Sequence, residues 1–532
     1  MSEEKSHSPS LKDNKEKQSS VSSGVGFDFG GESSLPPPPT LTSEQEAKLW
    51  RKVDLRLMPI LALMYLLSFL DRGNIGNARL QGLQTQLHLT GNKYNIALTM
   101  FFIVMLTLSI LLPRNNVPVS PTVYSSVLPS RFLAANIRTA TNHSPSLVLK
   151  RFRPSRWLPG ITVAWGIVMT LMGIVKNYPQ LVGVRVCLGV AEAGLFPGVV
   201  YYLTLWYPRH ILQFRIGLFF GAASLAGAFS GLLAYGISFM SGTQGLLGWS
   251  WIFILEGIAT VAVGIIAFFV LVDFPATATF LTPEERSFIV FKKREEEHFE
   301  MRHLWAAVCD WQVWLHILIY MSIIAPLYGI TLFLPTIINS FGHSPAISQL
   351  LSVPPYVVAT ILVYVFAYFS DKLKMRSPFI ILGLILCLIG LTINISNAPY
   401  GVKYFGTFFV VAGSYGAFPG IVAWLGNNLA GQYKRGIGMA IHIGVGNFGG
   451  AIAANIYRSQ DSPRFLLGHG LELMFVGIGF IAVPVAVLTY LRINKKRDEA
   501  QGASMENGEV KKYTDQELRE MGDRAPDFRY TI

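Results

Sequence analysis

The stretch LVGVRVCLGVAEAGLFPGVVYYLTLWYP, residues 181–208, is long enough to cross a lipid bilayer as a helix, yet it contains Arg185 and Glu192. About 20 apolar residues span the hydrocarbon layer, and a charge at its centre costs about 2.5–3.5 kcal/mol on insertion scales. The two charges share one helix face, about 10 Å apart along the axis. We therefore expect each to meet a partner on another helix, a water-filled cavity or a bound solute. A purely structural charge network is the alternative.

The whole chain has the composition of a membrane protein. Of its 532 residues, 51% are hydrophobic and 14% are charged, and the mean hydropathy is +0.41. These values lie far from those of soluble proteins and predict an all-α, multi-pass membrane protein. Twelve segments are apolar enough to be transmembrane helices: 57–70, 94–112, 157–175, 181–206, 216–240, 250–272, 311–335, 347–369, 378–394, 403–425, 436–456 and 469–491.

The formal net charge of +12 raises the question of nucleic-acid binding, but the positions of the basic residues argue against it. Most Lys and Arg residues between the spans fall on the side that holds the N-terminus, including the runs 150–153 and 495–497. The positive-inside rule then puts both termini in the cytosol. No basic stripe with interleaved aromatic residues occurs, so we expect a lipid bilayer and no nucleic acid as partner. The plasma membrane is the expected location.

The three cysteines are scattered over the chain at Cys187, Cys309 and Cys387. We interpret them as small apolar residues and not as a disulfide or metal framework. No phosphate-binding, zinc-protease, redox or nucleophile-elbow motif occurs with supporting context. The sequence therefore favours a protein that is not an enzyme and needs no cofactor or metal.

Polar and charged stretches divide the chain into five parts. Two basic loops, 149–156 and 370–378, occupy matching places in the two halves, but the first half is longer between comparable points. This excess predicts an insertion at about 104–146, which retained intron sequence could explain. The predicted parts are a disordered cytosolic arm (1–42), an N-terminal six-helix bundle (43–272), a cytosolic loop (273–310), a C-terminal six-helix bundle (311–493) and a cytosolic tail (494–532).

Local signals predict where some helices begin and bend. Thr42 or Ser43 starts a short amphipathic helix before the first span, and TPEE (282–285) and TDQE (514–517) are capping boxes. Pro326 and Pro335 predict that the span at 311–335 is bent or broken.

Further candidate site residues lie in the first and sixth spans. The first span ends in FLDRGNIGNARL, residues 69–80, with Asp71 and Arg72 at or just inside the outer membrane boundary. One interpretation is an interfacial cap, where charge is tolerated. The other is an inward-facing carboxylate that is held by its neighbouring arginine and whose protonation is coupled to movement. Glu256 lies in the apolar run WIFILEG (251–257), and we interpret it as a structural, hydrogen-bonded carboxylate.

Polar residues of the second half suggest the other side of a site. Asn427 and Asn428 can donate and accept hydrogen bonds at once, which suits a polar substrate rim, although solvated helix-end residues are the alternative. His442 lies among glycines in the eleventh span. It is either a hydrogen-bonded packing residue or a member of the substrate site.

Several stretches together resemble one family. They are RKVDLRLMPILALMYLLSFLDRGNIGNARL (51–80), KRFRPSRWLPGITVAWG (150–166), GVRVCLGVAEAGLFPGVVYYLTLWYPR (183–209), LTPEE (281–285) and WLGNNLAGQYKR (424–435). In these stretches the chain is similar to the Major Facilitator Superfamily. More narrowly, it resembles the anion:cation symporter group and its fungal allantoate permease branch.

The resemblance implies two pseudo-symmetric six-helix bundles that alternate between inward-open and outward-open states. It also implies proton-driven uptake, by a monomer, of a small organic anion such as nicotinate, allantoate or pantothenate. By position, Asp71 and Glu192 match the proton-linked acids, Arg72 the neighbour of Asp71, and Arg185 the arginine of the fourth helix. A non-transporting nutrient sensor and an inactive splice or gene-model variant of a transporter are the alternatives.

Overall fold

The computed structural model describes residues 36–37, 39–111, 153–293, 301–506, 513–514, 517–518 and 521–532. Most of the predicted arm and of the predicted insertion at about 104–146 lies outside these residues, as do parts of the predicted loop and tail. Within the described ranges, all regular secondary structure is helical. This confirms the predicted all-α fold class.

Seven helices of twelve residues or more form the N-terminal half within the described residues. In chain order they are α1 (Ser43–Ala78), α2 (Lys93–Leu111), α3 (Pro154–Met172), α4 (Tyr178–Glu192), α5 (Leu195–Trp206), α6 (Arg209–Ser238) and α7 (Gly248–Val270). α1 packs on α6 and α7, and it also contacts the helix at 311–339 in the other half. It is therefore the helix around which the two halves meet.

The remaining helices form the connection and the C-terminal half. They are α8 (Pro283–Lys293), α9 (Met301–Val308), α10 (Trp311–Asn339), α11 (Pro345–Leu351), α12 (Val353–Leu373), α13 (Ser377–Ile395), α14 (Tyr400–Asn428), α15 (Gln432–Gly446), α16 (Phe448–Ile456) and α17 (Leu466–Glu506). The predicted start of the tail at residue 494 falls inside α17.

Nine helical stretches among the described residues are long and apolar enough to cross a membrane. They coincide with nine of the twelve predicted spans. The other three predicted spans also fall on helices, namely α2, α3 and the pair α4–α5, which are not among these nine stretches. The count of twelve transmembrane helices therefore stays a prediction.

The length of the stretch at 181–208 predicts a single helix, but the structure has two helices there. α4 ends at Glu192 and α5 begins at Leu195. Pro197 is the third residue of α5 and has no backbone N–H to donate to the carbonyl of Ala193, four residues earlier. The break therefore follows Glu192 directly and places this acid at the end of a helix.

Three capping predictions are confirmed, since Thr514 N–H donates to Glu517 Oε2 at 2.8 Å and Glu517 N–H donates to Thr514 Oγ1 at 3.3 Å in the predicted box at 514–517. Thr42 caps α1, because its Oγ1 accepts from the Gln45 N–H at 3.4 Å and its own N–H donates to Gln45 Oε1 at 3.0 Å. Thr282 and Glu285 form the same reciprocal pair at the start of α8. The amphipathic segment after Thr42 is not a separate short helix, however. It continues into the first span as one helix of 36 residues.

α10 runs through Pro326 and Pro335 without interruption, so of the two expected outcomes, a bend or a break, the break does not occur. This helix is enclosed by α1, α14, α15, α16 and α17. Proline is tolerated in such helices because neighbouring elements satisfy the backbone groups that it leaves free.

The two halves meet closely along α1 and α10. A Cβ atom at Gly76 would lie 2.4 Å from the Leu332 carbonyl oxygen, so only glycine permits this approach. Near the end of α1, Gln349 Nε2 donates to the Asn77 carbonyl at 3.2 Å. The halves are therefore joined tightly at this end of the molecule.

Candidate transport site

Five charged side chains are buried in the N-terminal half, on α1, α4 and α7. They are Asp71, Arg72, Arg185, Glu192 and Glu256, and each is at most 6% exposed. An interfacial cap therefore does not describe Asp71 and Arg72, which protein encloses. Since a buried charge is costly unless it is paired or hydrogen-bonded, the pairing of these five groups decides what they can do.

Arg72 and Glu192 form the one ion pair among these five groups in the described part of the chain. Arg72 Nε donates to Glu192 Oε1 at 2.9 Å, and Arg72 Nη2 donates to the same oxygen. Ser68 Oγ also donates to Glu192 Oε1. The expectation that Arg72 holds its neighbour Asp71 is wrong, because successive side chains on a helix point about 100° apart. Glu192 Oε2 has no hydrogen-bond partner among the described residues.

Arg72 also connects this pair to the C-terminal half. Its Nη1 donates to Tyr328 OH on α10 at 3.0 Å. Tyr328 in turn packs edge-on against Phe102 of α2, with ring centroids 5.0 Å apart. A movement of α10 relative to α1 would therefore change the contacts of the guanidinium group.

Arg185 and Asp71 have no hydrogen-bonded partner that would balance their charges. Arg185 is 2% exposed, and its Nε and Nη2 atoms lack an acceptor among the described residues. Neither carboxyl oxygen of Asp71 has a donor at hydrogen-bond distance there, and the donor that faces this carboxyl group is the neutral indole N–H of Trp165. The two groups lie within electrostatic range of each other and of Glu192, but no ion pair joins them. This is an arrangement that a bound anion and a bound proton would complete.

Glu256 belongs to a hydrogen-bonded chain that crosses α1 and α6. Asn74 Nδ2 donates to Glu256 Oε2, and Ser230 Oγ donates to Asn74 Oδ1 at 2.9 Å. Asn77 Nδ2 continues the chain by donating to Ser230 Oγ at 2.8 Å. Glu256 Oε1 is without a partner among the described residues. Side-chain hydrogen bonds through Asn74, Ser230 and Asn77 thus connect the carboxyl group of Glu256 to the contact between the halves.

Within the described residues, Arg185 and Glu192 are each 2% exposed, so the water-filled cavity expected around them is not open to either side chain there. A cavity of about 10 Å³, room for about one water molecule, lies between the halves. Polar side chains of both halves line it, namely Asn77, Ser230, Thr331, Ser352, Tyr356 and Tyr415. The contact between the halves is therefore closed at this cavity. The charged cluster reaches it through the hydrogen bonds of Asn77 and Ser230 and through Phe69, whose ring centroid lies 4.8 Å from Arg72 Cζ.

Asn428 lies elsewhere, at the end of α14. Its Nδ2 donates to the Thr531 carbonyl at 3.0 Å, and its Oδ1 accepts from Thr531 N–H at 2.8 Å and Oγ1 at 3.0 Å. Asn427 is half-buried beside it. Neither residue is connected to Arg185 by a hydrogen bond or ion pair in the ranges described, so their substrate role stays a prediction.

His442 of α15 is fully buried against α10. Its Nε2 contacts the His316 carbonyl at 3.0 Å, and its ring packs edge-on against Tyr320 at 4.9 Å. Tyr320 lies within electrostatic range of Arg72. His442 therefore approaches the charged cluster only through this tyrosine, and its place in a substrate site also stays a prediction.

Sequence reasoning did not single out Ser68, Tyr328 or Ser230 as site residues. Each carries a lone hydroxyl group within an apolar run, and the two serines could equally have bonded to their own helix backbone. Asn74 and Asn77 follow Asp71 at helical spacing, which could have indicated a shared face. The described residues contain no group of three or more His, Cys, Asp or Glu side chains that could hold a metal ion.

Comparisons with known proteins agree with this architecture. The Major Facilitator Superfamily profile matches residues 146–454. The chain is 32% identical over 528 residues to an uncharacterized transporter of Schizosaccharomyces pombe, covering 98% of this chain and 96% of that protein. It is 30% identical over 500 residues to a high-affinity nicotinic acid transporter of Saccharomyces cerevisiae, covering 92% of this chain and 86% of that protein.

Solved structures show the same fold. A crystal structure of a D-xylose–proton symporter superposes with a TM-score of 0.56 at 16% identity, covering 81% of this chain and 96% of that chain. An inward-facing, occupied bacterial homologue of the human lysosomal transporter Spinster gives a TM-score of 0.56 at 12% identity, covering 81% of this chain and 96% of that chain.

The fold and the buried charges thus define an integral, multi-pass membrane transporter and not an enzyme. The chain belongs to the Major Facilitator Superfamily. The expected superfamily and its fold are therefore confirmed.

Proposed function

We propose that this chain is a proton-coupled symporter that takes up a small organic anion by alternating access. The observation that carries the proposal is the free edge of Arg185. Arg72 grips the carboxylate of Glu192 with its Nε and Nη2 atoms, and the same two nitrogens of Arg185 have no acceptor among the described residues. This edge of a guanidinium group suits a carboxylate, which it can bind with two parallel hydrogen bonds.

The balance of charge in the cluster supports coupling to protons. Two cations, Arg72 and Arg185, face three buried carboxyl groups, Asp71, Glu192 and Glu256. An anion at Arg185 would add a negative charge next to Asp71, and a proton on Asp71 would remove one. Because the site contains little water, the bound anion and the proton on Asp71 stabilise each other electrostatically. Binding of either one therefore raises the affinity of the site for the other.

The contact between the halves supports alternating access. Arg72 reaches Tyr328 across the interface, so neutralising Glu192 or Asp71 alters a group that touches both halves. The closed centre, with a cavity for about one water molecule, is the occluded arrangement that such a cycle passes through. In the proposed cycle, the proton offsets the charge of the anion, so the loaded cluster carries the same net charge as the empty one when the halves move.

The nicotinic acid transporter among the relatives suggests a monocarboxylate as the substrate. Nicotinate, pantothenate and allantoate are the first candidates, since each offers one carboxylate for Arg185. In the same proposal the chain acts as a monomer in the plasma membrane with both termini in the cytosol.

The test is uptake by the full chain in proteoliposomes with an acidic exterior. Wild-type protein should accumulate radiolabelled nicotinate, pantothenate or allantoate against its gradient. Asp71→Asn and Glu192→Gln should lose accumulation but keep exchange of labelled for unlabelled anion. Glu499→Gln, an exposed acid on α17, is the matched control. Equal accumulation by Asp71→Asn, Glu192→Gln and wild type would overturn the proton-coupling assignment, and no accumulation or exchange of any of these acids by wild type would overturn the proposed substrate class.

A further inference from the structure

A second buried acid lies outside the charged cluster, in the C-terminal half. Glu472 of α17 is 0% exposed. Its Oε2 accepts a hydrogen bond from Tyr457 OH at 2.8 Å, and the same hydroxyl lies 2.9 Å from His469 Nδ1. Its Oε1 has no hydrogen-bond partner among the residues that the structure describes. One carboxyl oxygen of Glu472 is thus hydrogen-bonded, and the other is buried without a donor among the described residues.

α10, which packs against α17, leaves space for Glu472 Oε1. A Cβ atom at Gly329 of α10 would lie 1.8 Å from Glu472 Oε1, so any other residue would collide with the carboxyl group. The carboxyl group therefore fits into a gap that glycine creates in the buried face of α10.

No cation balances Glu472 within the described residues. The titratable groups that face this site are His469 on the same helix, Tyr457 after α16, and Cys387 of α13. Lys403 of α14 lies within electrostatic range of His469 but forms no ion pair with Glu472. An ionised carboxylate without a cation is strongly disfavoured in such surroundings, so the neutral acid is the form that fits them.

Two layers of aromatic side chains cover this site, the inner one from α10 of the same half and the outer one from α2 of the other half. The Tyr457 ring packs against Phe333, with centroids 5.0 Å apart, and Phe333 packs edge-on against Tyr94 of α2 at 6.4 Å. Next to Tyr94, Asn95 Nδ2 donates to the Ala454 carbonyl of α16 at 2.9 Å. Separation of α2 from α16 would remove the outer layer and expose Phe333, whose ring would then be the remaining cover between water and the Tyr457–Glu472 pair.

We propose that Glu472 is a second proton-binding site, which keeps its proton while α2 holds Phe333 against Tyr457 and exchanges it with water when α2 and α16 separate and Phe333 is free to move. The O–H bond of the carboxyl group forms with a proton from that water and breaks by returning it, so no other reactant takes part. This inference rests on the proposed symport, to which it adds one proton carried by the C-terminal half. The group is distinct from the acids of α1, α4 and α7.

The first experiment measures the proton-to-anion ratio of the reconstituted full chain, from the membrane potential and pH gradient that stop net flux of nicotinate. Glu472→Gln keeps the shape of the side chain and should lower the ratio by about one proton per anion, while anion exchange continues. Glu499→Gln, exposed on the same helix, should leave the ratio unchanged. An unchanged ratio in Glu472→Gln would overturn the proposal.

A second experiment separates this proposal from the symport on which it rests. Infrared difference spectra of the purified protein across a pH step should contain a protonated-carboxyl C=O band that Glu472→Gln lacks and Asp71→Asn retains. This band needs no transport, so its presence supports Glu472 even if no anion is carried. A spectrum of Glu472→Gln identical to that of wild type would overturn the assignment of the proton to Glu472.

Discussion

Two groups of buried charges in this molecule differ in how completely they are paired. In the N-terminal half, Arg185 and Asp71 are enclosed without hydrogen-bonded partners of opposite charge among the residues that the structure describes. At the far end of the C-terminal half, Lys434 Nζ lies 2.5 Å from Asp310 Oδ2 and 2.6 Å from Asp523 Oδ1. The side chains of these three residues are 9%, 7% and 5% exposed, respectively. Similar burial therefore accompanies opposite degrees of pairing.

The paired group fastens the last residues of the chain to the helices. Gln312 Nε2 donates to Asp523 Oδ2 at 3.0 Å, and Arg497 Nη2 donates to the Asp523 carbonyl at 2.7 Å. Trp424 Nε1 donates to the Thr531 carbonyl at 2.9 Å. Charges that are satisfied in this way stabilise one arrangement, whereas unsatisfied buried charges are available to a ligand. The comparison thus separates a structural network from a candidate site.

The largest expected effect is on the paired group. Lys434→Met leaves Asp310 and Asp523 close together in a buried site without a cation, and we expect a loss of about 3–5 kcal/mol in the free energy of unfolding. Unfolding in mixed detergent measures this loss, with Lys495→Met, an exposed lysine on α17, as the control. Transport per folded molecule should not change. Unaltered stability of Lys434→Met would show that the pairing does not hold this end together.

The next effect concerns the unpaired group and has the opposite character. Arg185→Lys keeps the charge but removes the two-nitrogen edge, so uptake should fall by about 10- to 100-fold, the cost of one or two charge-assisted hydrogen bonds. The melting temperature should stay the same or rise. Normal uptake by Arg185→Lys together with a lower melting temperature would show that Arg185 has a structural role, like Lys434. That result would contradict the proposed difference between the two groups of charges.

Asn428 sharpens the comparison at one residue. Asn428→Leu removes its hydrogen bonds to Thr531 and should weaken docking of residues 521–532 by about 1–2 kcal/mol. Hydrogen exchange of these backbone amides should accelerate, with Asn427→Leu as the neighbouring control. The KM for the transported anion should stay constant. A raised KM with unchanged exchange would favour the substrate rim predicted from the sequence over the docking role.

The smallest expected effect comes from an exposed pair. Partial burial raises the pKa of Glu285, but the hydrogen bonds from Lys52 Nζ and the Thr282 N–H outweigh it, so the pKa lies below its ordinary value. This contribution to stability is present above the unfolded pKa of about 4.3 and is lost as the pH falls through the lower folded value. Glu285→Gln should cost at most about 1 kcal/mol at neutral pH and nothing at strongly acidic pH. A cost that persists undiminished in acid would contradict this origin.

Hydropathy and local capping predicted much of the fold, because both depend on neighbouring residues. The apolar runs coincide with helices, and Thr42 and Thr282 cap helices as expected. Pro197 is a signal for the break before α5, but the length of the apolar run favours a single helix more strongly. The uninterrupted α10 could not be foreseen from Pro326 and Pro335, because the helices that enclose it are distant in sequence.

The charged site was predicted in its members but not in its pairing. Burial of Arg185 and Glu192 followed from their position in an apolar stretch. The partner of Glu192, however, is Arg72, 120 residues away, and that of Asn428 is Thr531, 103 residues away. Such partners depend on tertiary packing, which a single sequence does not contain.

The most direct test of the account is a calorimetric titration of the purified full chain with whichever of the three acids it takes up fastest. Titrations in two buffers of different ionisation enthalpy give the number of protons bound with each anion. The account predicts that wild-type protein takes up about one proton per anion and that Asp71→Asn takes up fewer. Anion binding without proton uptake by the wild type, or identical uptake by Asp71→Asn, would contradict it.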